Sequence, residues 1–330
     1  SPVKANPISN YFVNITNKTI NIANILIKNL GESGIPAEAL KALPPDGIEY
    51  VCTLLQDFWE GRRNYEEWQT ALLQVLYKKR WPKSTTNYRG IVLQDAFACL
   101  LSAIIGGRLH QLIKKCGMEE QFAYQENTGT NDATYCLRSA LQLRKEHQQD
   151  TYLLFIDLIK AFDTANHDLL FAILEKYGAP RALIDVIRHL HDNFQLKLVF
   201  DKKNQAIIDY TVGVRQGDNM AGLLFLFLMQ AMDESFKKQC ALPEPEFRTH
   251  RDSKRGRLLK QPAPAKTKGV PFHFGKSMFA DDAMYILSSW QELEMLWAAI
   301  FHHMHHFGLL MHAGTLDENG NHQTKSKMEA

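Results

Sequence analysis

The order of elements in this 330-residue chain predicts an α+β fold. Up to about residue 150 the apolar residues recur mostly at helical spacing, punctuated by caps and glycines. From Thr151 the pattern changes to strand-length apolar runs and hairpins. No regular strand–helix–strand rhythm joins these strands, which argues against a doubly wound parallel sheet. The chain accordingly divides into a mainly helical 1–150 and a strand-bearing 151–330.

The first predicted helix runs from Asn17 to Leu30, with Gly31 in the position that closes it. A second follows Pro36, and a third runs from Asp46 to Gly61. A fourth starts at a capping box, Asn64 with Glu67, and runs to about Lys79. The polar loop WPKSTTNYRG leads to a helix from Asp95 to Lys115, closed by Gly117, and another follows Asn131. TYLLFIDL is a strand-length apolar run that ends on Asp157. Helices Asn166 to Tyr177 and Pro180 to Asn193 are separated by Gly178-Ala179-Pro180. Gln195 to Phe200 and Gln205 to Val212 form a hairpin around DKKN. An apolar helix from Ala221, a Pro- and Lys-rich linker over 240–271, and a hairpin FHFGKSMF-ADD-AMYILSS follow. A last helix, Trp290 to Phe307, precedes a short strand at LLMHA.

Composition excludes several classes. Apolar residues at 45% and charged residues at 22% suit a globular chain with a real core. The five cysteines are scattered with no CxxC pair, against a zinc knuckle or disulfide framework and for a reducing compartment. No basic patch followed by an apolar run opens the chain, as a secretory signal requires. The most apolar stretch, Ala221 to Met232, is about half the length needed to cross a bilayer and reads as a buried helix. The chain starts at Ser1 and stops at Ala330 in the manner of a piece of something longer. Net charge is only +2, but unevenly spread: eight Lys or Arg lie from Arg248 to Lys268 against one acid, Asp252. Such a run faces either phosphates or solvent.

The chemistry is signalled by carboxylates. Asp157 ends a buried strand, and Asp281-Asp282 sit at the tip of an apolar hairpin. Acids at strand ends beside a core are costly unless a cation or donors compensate them. Divalent metal is the usual partner for carboxylates brought side by side. A two-metal pair clamps the attacking and leaving oxygens in phosphoryl transfer, and oxygen-only ligands suit Mg²⁺.

LLFIDLIKAFDTANHDLL, GVRQGD before an apolar helix, and MFADDAMYI, in this order and at these spacings, resemble the palm of reverse transcriptases. ESGIPAEALKAL, NYRGIVL and QFAYQENTGTNDA resemble the fingers motifs of the non-LTR (LINE-type) retrotransposon family. FGLLMH and the terminal KSKMEA resemble its last palm motif, so the likeness runs from about Gly31 to the end. It implies a right-hand polymerase fold, with fingers in 1–150, an antiparallel palm sheet backed by helices in 151–330, and no thumb. It implies RNA-directed DNA synthesis from dNTPs on an RNA template and a DNA primer, with two Mg²⁺, or Mn²⁺. Asp157 and Asp281 would bind both metals, with Asp282 auxiliary and the Leu158 carbonyl a further oxygen. Phe162 would exclude a ribose 2′-OH. Arg89 would grip the triphosphate, its fork matching phosphate, and Lys79 would assist. Gln216 and Gly217 would line the incoming nucleotide, and Lys327 would stand near the leaving pyrophosphate as a general acid. The family location is intracellular and nuclear. Neither a membrane nor an obligate protein partner is implied.

Two positions depart from the family pattern. Gly90 and Gly222 stand where prolines are usual, which is expected to loosen two nucleotide-facing loops. AGTLDENGNHQTKSK is also longer than the usual link. These departures leave open an inactive remnant, and a group II intron-type reverse transcriptase is a further alternative. The run of His302, His303, His305 and His306 reads as the flank of an apolar helical stripe rather than a metal site. Asp163 and Asp168 read as turn and cap residues.

Overall fold

A computed structural model describes residues 31, 33–78, 83, 87–199, 204–240, 245–248, 271–312, 315–316 and 322–324. The expected helix Asn17 to Leu30, most of the basic linker, Lys79 and Lys327 lie outside them. The chain forms two compact units that interleave along the sequence: 1–116 with 162–228, and 117–161 with 229–330.

In the first unit, α1 (Ala37–Lys41) and α2 (Pro45–Trp59) come first, followed by a single 3₁₀ turn, Glu66–Trp68. The predicted fourth helix does not form. The segment to Lys79 is instead β1 (Thr70–Tyr77), paired antiparallel with β2 (Tyr88–Leu93) and parallel with β4 (Gln195–Val199). A short apolar run is ambiguous between helix and strand, and pairing on both edges decides it. The Asn64–Glu67 capping box does not form; the 3₁₀ turn follows Tyr65 with no side-chain cap and seats Trp68 against Tyr65 and Phe58 (ring centroids 4.4 and 4.9 Å). β5 (Gln205–Asp209) completes a four-stranded sheet of order β2-β1-β4-β5, with Ala71, Val92, Phe194 and Leu196 buried on one face.

Helix α3 (Ala96–Cys116) is buried on more than one side, by Leu100, Leu101, Ile104, Ile105, Leu109 and others. By length and composition it is apolar enough to cross a membrane, yet 67% of that window is buried inside the protein, as in a core helix. α6 (His167–Lys176) is capped by Asn166, whose side chain accepts from the Leu169 N–H, and α7 (Arg181–His191) buries Leu183, Ile184, Ile187 and Leu190 at helical spacing. The unit ends within α8 (Ala221–Gln239).

The second unit is built on a three-stranded antiparallel sheet, order β3-β9-β8. Its strands are β3 (Tyr152–Ile156), β8 (Lys276–Phe279) and β9 (Asp282–Leu287). α4 (Thr130–Glu146) begins where the Asp132 carboxylate accepts from the Gly129 N–H (2.8 Å). Ala140 of α4 shares a buried cluster with Met284, Ile286 and Phe247. Phe272 belongs not to the second hairpin but to β7 (Pro271–His273), which pairs with β6 (Glu246–Arg248). α9 (Trp290–His306) is capped by Ser289 and buries Leu293, Leu296, Ile300 and Met304. His303 is buried with that stripe, against Phe236 and Phe307, while His302, His305 and His306 are exposed. Of LLMHA, Leu309 to His312 make a single bridge rather than a strand, and β10 (Thr315–Leu316) pairs with β11 (His322–Thr324) inside the long link. The chain passes between the units within α5 (Ala161–Thr164).

Candidate active site

Asp157 is placed by two neighbours. On one side β3 pairs with β9 from Tyr152↔Leu287 to Ile156↔Ala283. Continuing that register sets Asp157 beside the start of β9, which is Asp282. On the other side the FGLLMH segment holds the strand end: His312 N–H donates to the Asp157 carbonyl (2.9 Å) and Ile159 N–H to the Leu310 carbonyl (2.7 Å). These two bonds flank the Leu158↔Met311 bridge, so the Leu158 peptide groups point away from Met311. The carbonyl proposed as a metal oxygen is not spent on that bridge.

Asp281 lies in a two-residue turn closed by Phe279↔Asp282. The first turn residue, Ala280, has φ +56°, a region that costs an L-residue about 1–2 kcal/mol. Asp157 and Asp281 are half-buried and Asp282 is exposed. Tyr124, in the QFAYQENTG motif, also has a left-handed backbone (φ +55°). Burial, and then the nearby Asp281 charge, push its phenol upward in pKa.

The strand-end carboxylates are oxygen donors alone, as a hard cation requires. Among the described residues no three His, Cys, Asp or Glu side chains converge as a ready metal cage. A site of two carboxylates fits Mg²⁺, which keeps waters and takes substrate phosphates as its remaining ligands.

The nucleotide-facing candidates gather in the other unit. Arg89 is exposed on β2, opposite Leu76. The Gln216 carbonyl accepts from Val92 N–H of the same strand (2.8 Å). Gly217 has φ +110°, and a Cβ there would lie 2.7 Å from the Val92 carbonyl oxygen, so both conformation and space demand glycine. Phe162 stacks on Phe225 (4.6 Å, 19°), and its carbonyl accepts from Val214 N–H (2.6 Å). One loop, Val214 to Asp218, therefore ties Phe162 to β2. Gly90 lies within β2 and Gly222 in the first turn of α8, so neither departure falls in a loop.

Sequence reasoning passed over the polar network beneath that loop. Arg215 is 1% exposed, lies over the Phe194 ring (4.4 Å) and pairs with Asp218 (3.0 Å). Asp218 also accepts from Ser102 Oγ, from Met220 N–H (3.1 Å) and from Gln94 Nε2 (3.4 Å). Burial lowers the Arg215 pKa and Asp218 opposes this. Burial, then Asp218, pushes the Cys99 thiol up to about 12. The available signal was a charged pair three residues apart leading into an apolar helix. Gln121 was also passed over, though its motif was noted.

The family model for reverse transcriptase (RNA-dependent DNA polymerase) matches residues 78–314, well over half of the chain. The chain is 23% identical over 202 residues to the Pol polyprotein of the type-2 retrotransposable element R2DM of Drosophila melanogaster, covering 61% of this chain and 19% of that one. It is 24% identical over 159 residues to a probable RNA-directed DNA polymerase from transposon BS of the same fly, covering 47% and 18%. It thus spans about a fifth of the length of these relatives. Apo telomerase from Candida tropicalis superposes with a TM-score of 0.51 at 11% identity, over 79% of this chain and 48% of that one, a likeness of fold. The R2 and BS relatives support the non-LTR branch expected from the motifs, and the chain belongs to the reverse transcriptase family.

Proposed function

We propose that this chain is the polymerase core of a non-LTR retrotransposon protein, extending a DNA primer on an RNA template with dNTPs. The observation that carries the reading is the β3–β9 register, which brings Asp157 alongside the hairpin bearing Asp281 and Asp282. Asp157 and Asp281 would hold two Mg²⁺, or Mn²⁺, with Asp282 and the Leu158 carbonyl contributing oxygen nearby. Bound metal supplies charge stabilisation at the attacking 3′-oxygen and the leaving oxygen.

The protein's own groups do the rest. The FGLLMH contacts fix the backbone at Asp157, which limits the reorganisation needed when charge develops. Arg89 binds the triphosphate as a permanent cation with a forked donor set, and Gln216 and Gly217 form the wall along the nucleotide. The Phe162 ring, held flat on Phe225, excludes a 2′-OH by contact. Lys79 and Lys327 are assigned by family resemblance alone, to triphosphate binding and to protonation of the leaving group.

Primer extension on an RNA template, with Mg²⁺ or Mn²⁺, tests the reading. Asp157→Asn and Asp281→Asn are each expected to lower extension at least about 10²–10³-fold while the protein stays folded. Near wild-type extension by either variant would show the site assignment to be wrong.

A further inference from the structure

We propose that Gln121 is a positioning residue for the aspartate-bearing turn, holding Ala280 so that Asp281 meets the metals in one geometry. The inference rests on the polymerase reading of that turn. Gln121 is 4% exposed. Its side-chain Oε1 accepts from the Ala280 N–H (2.9 Å) and from the Ala123 N–H (3.1 Å), and its Nε2 donates to the Ala280 carbonyl (3.3 Å). Two backbone donors meet one side-chain atom, so that atom is the oxygen and the amide orientation is fixed by chemistry.

The placement is specific. Glu120 to Phe122 make a single parallel bridge to β8, at Gln121↔Met278: Met278 N–H donates to the Glu120 carbonyl (2.8 Å) and Phe122 N–H to the Met278 carbonyl (2.9 Å). Backbone pairing reaches Met278 and stops. Two residues later the Gln121 amide takes over, presenting to Ala280 the donor and acceptor that a further peptide would present. It does so at the left-handed residue that directly precedes Asp281. An L-residue held at positive φ persists when its surroundings over-determine it, and here one buried amide bonds both polar groups of that residue. Ala123, bonded to the same oxygen, couples the clamp to the Tyr124 motif. A Gln at this point does what neither an apolar residue nor a carboxylate can. Met would bond nothing, and Glu would accept without donating.

The test uses the whole 330-residue chain with Gln121→Met, Gln121→Glu and Gln121→Met/Ala280→Gly. Readouts are kcat and KM for dNTP, Mn²⁺ affinity from the free-ion EPR signal, and folding by circular dichroism. Expected for Gln121→Met is a kcat at least threefold lower, with KM for dNTP within twofold and a Mn²⁺ Kd raised at least threefold. Glycine at 280 accepts positive φ without help, so the double variant should recover at least half of the lost Mn²⁺ affinity. A smaller fall in kcat, or an unchanged Mn²⁺ Kd in the folded protein, would overturn the proposal. If Gln121→Met does not fold, Gln121→Glu decides: a kcat at least threefold down supports the clamp, and anything less overturns it. A wild-type chain that extends no primer would refute the polymerase reading separately, and Mn²⁺ binding would still judge the clamp.

Discussion

Asp218→Asn removes the acid that compensates a buried guanidinium. Arg215 is 1% exposed and its charge cannot be shed, since arginine remains protonated even where burial lowers its pKa. Breaking a buried pair by removing one partner costs about 3–5 kcal/mol, because the other charge is stranded. The amide that replaces the carboxylate also turns a donor toward a shell of donors: Ser102 Oγ, Met220 N–H and Gln94 Nε2. Asp218→Asn is therefore expected at the upper part of that range. Arg215→Met should cost less, about 1.5–3 kcal/mol, because Asp218 keeps three donors after the cation is gone. The double variant should fall short of the sum by about 2 kcal/mol, the coupling of directly contacting residues. Against a total stability of roughly 5–15 kcal/mol these are large effects. Urea unfolding of the four proteins, compared at equal m-values, measures them. A cost below about 1 kcal/mol for Asp218→Asn, or strict additivity, would show that the pair does not hold the Gln216 loop.

Two further perturbations separate packing from chemistry. Phe162→Val should admit ribonucleotides while dNTP use falls much less, because the exclusion is a clash rather than an attraction; unchanged selectivity in a folded variant would refute the role of the ring. His191 is buried, its Nδ1 bonded to the Ile187 carbonyl (2.8 Å), and burial, with Arg215 second, holds its pKa well below 6.5. The folded state therefore resists a proton that the unfolded state takes up, so stability should fall as pH drops below about 6.5. In His191→Gln that share of the slope should vanish between pH 7 and 5, read from urea midpoints.

What the sequence disclosed depended on whether a residue's environment is local. Helix starts were legible at Asn166 and Trp290, and so were the strand ending on Asp157 and the turn at Asp281, because spacing alone encodes them; the cap of the first of these helices is Asn166 and not Asp168, which lies in its first turn. β1 was misread because TALLQVLY lacks a clear period, and its fate is set by pairing with β4, 125 residues further on. Phe272 was assigned to the wrong hairpin for the same reason, its partner being Phe247 across the linker. Gln121 and the Arg215–Asp218 pair were invisible as site residues because their meaning lies in partners 159 and 116 residues away. Motifs recorded where such residues stand, and only the fold showed what they touch.

Gly90 gives a last prediction in which sequence and structure pull in different directions. The family resemblance puts proline there, and its absence was expected to loosen a loop. The residue is instead in β2, at the edge of its sheet, opposite Val75. Hydrogen bonding fixes which way its N–H points. Lys78 N–H bonds the Asn87 carbonyl and Val92 N–H bonds the Gln216 carbonyl. The first makes Tyr77↔Tyr88 a pair flanked by ladder bonds, and the alternation of an antiparallel ladder gives the same character to Val75↔Gly90 and Leu73↔Val92. The N–H of Gly90, like that of Val92, therefore points outward from β1, and a proline there removes no ladder bond. A Cβ there would meet only the Leu73 side chain, its Cδ1 at 2.8 Å and its Cγ at 3.8 Å, and Cδ1 is the movable end. Gly90→Pro should therefore fold and gain about 0.4–1 kcal/mol by restricting the unfolded chain. Differential unfolding in urea measures it, with KM for dNTP reporting on the neighbouring Arg89. A loss of more than about 1 kcal/mol would mean that the Gly90 N–H is spent inside the sheet and that the β1–β2 register is misassigned.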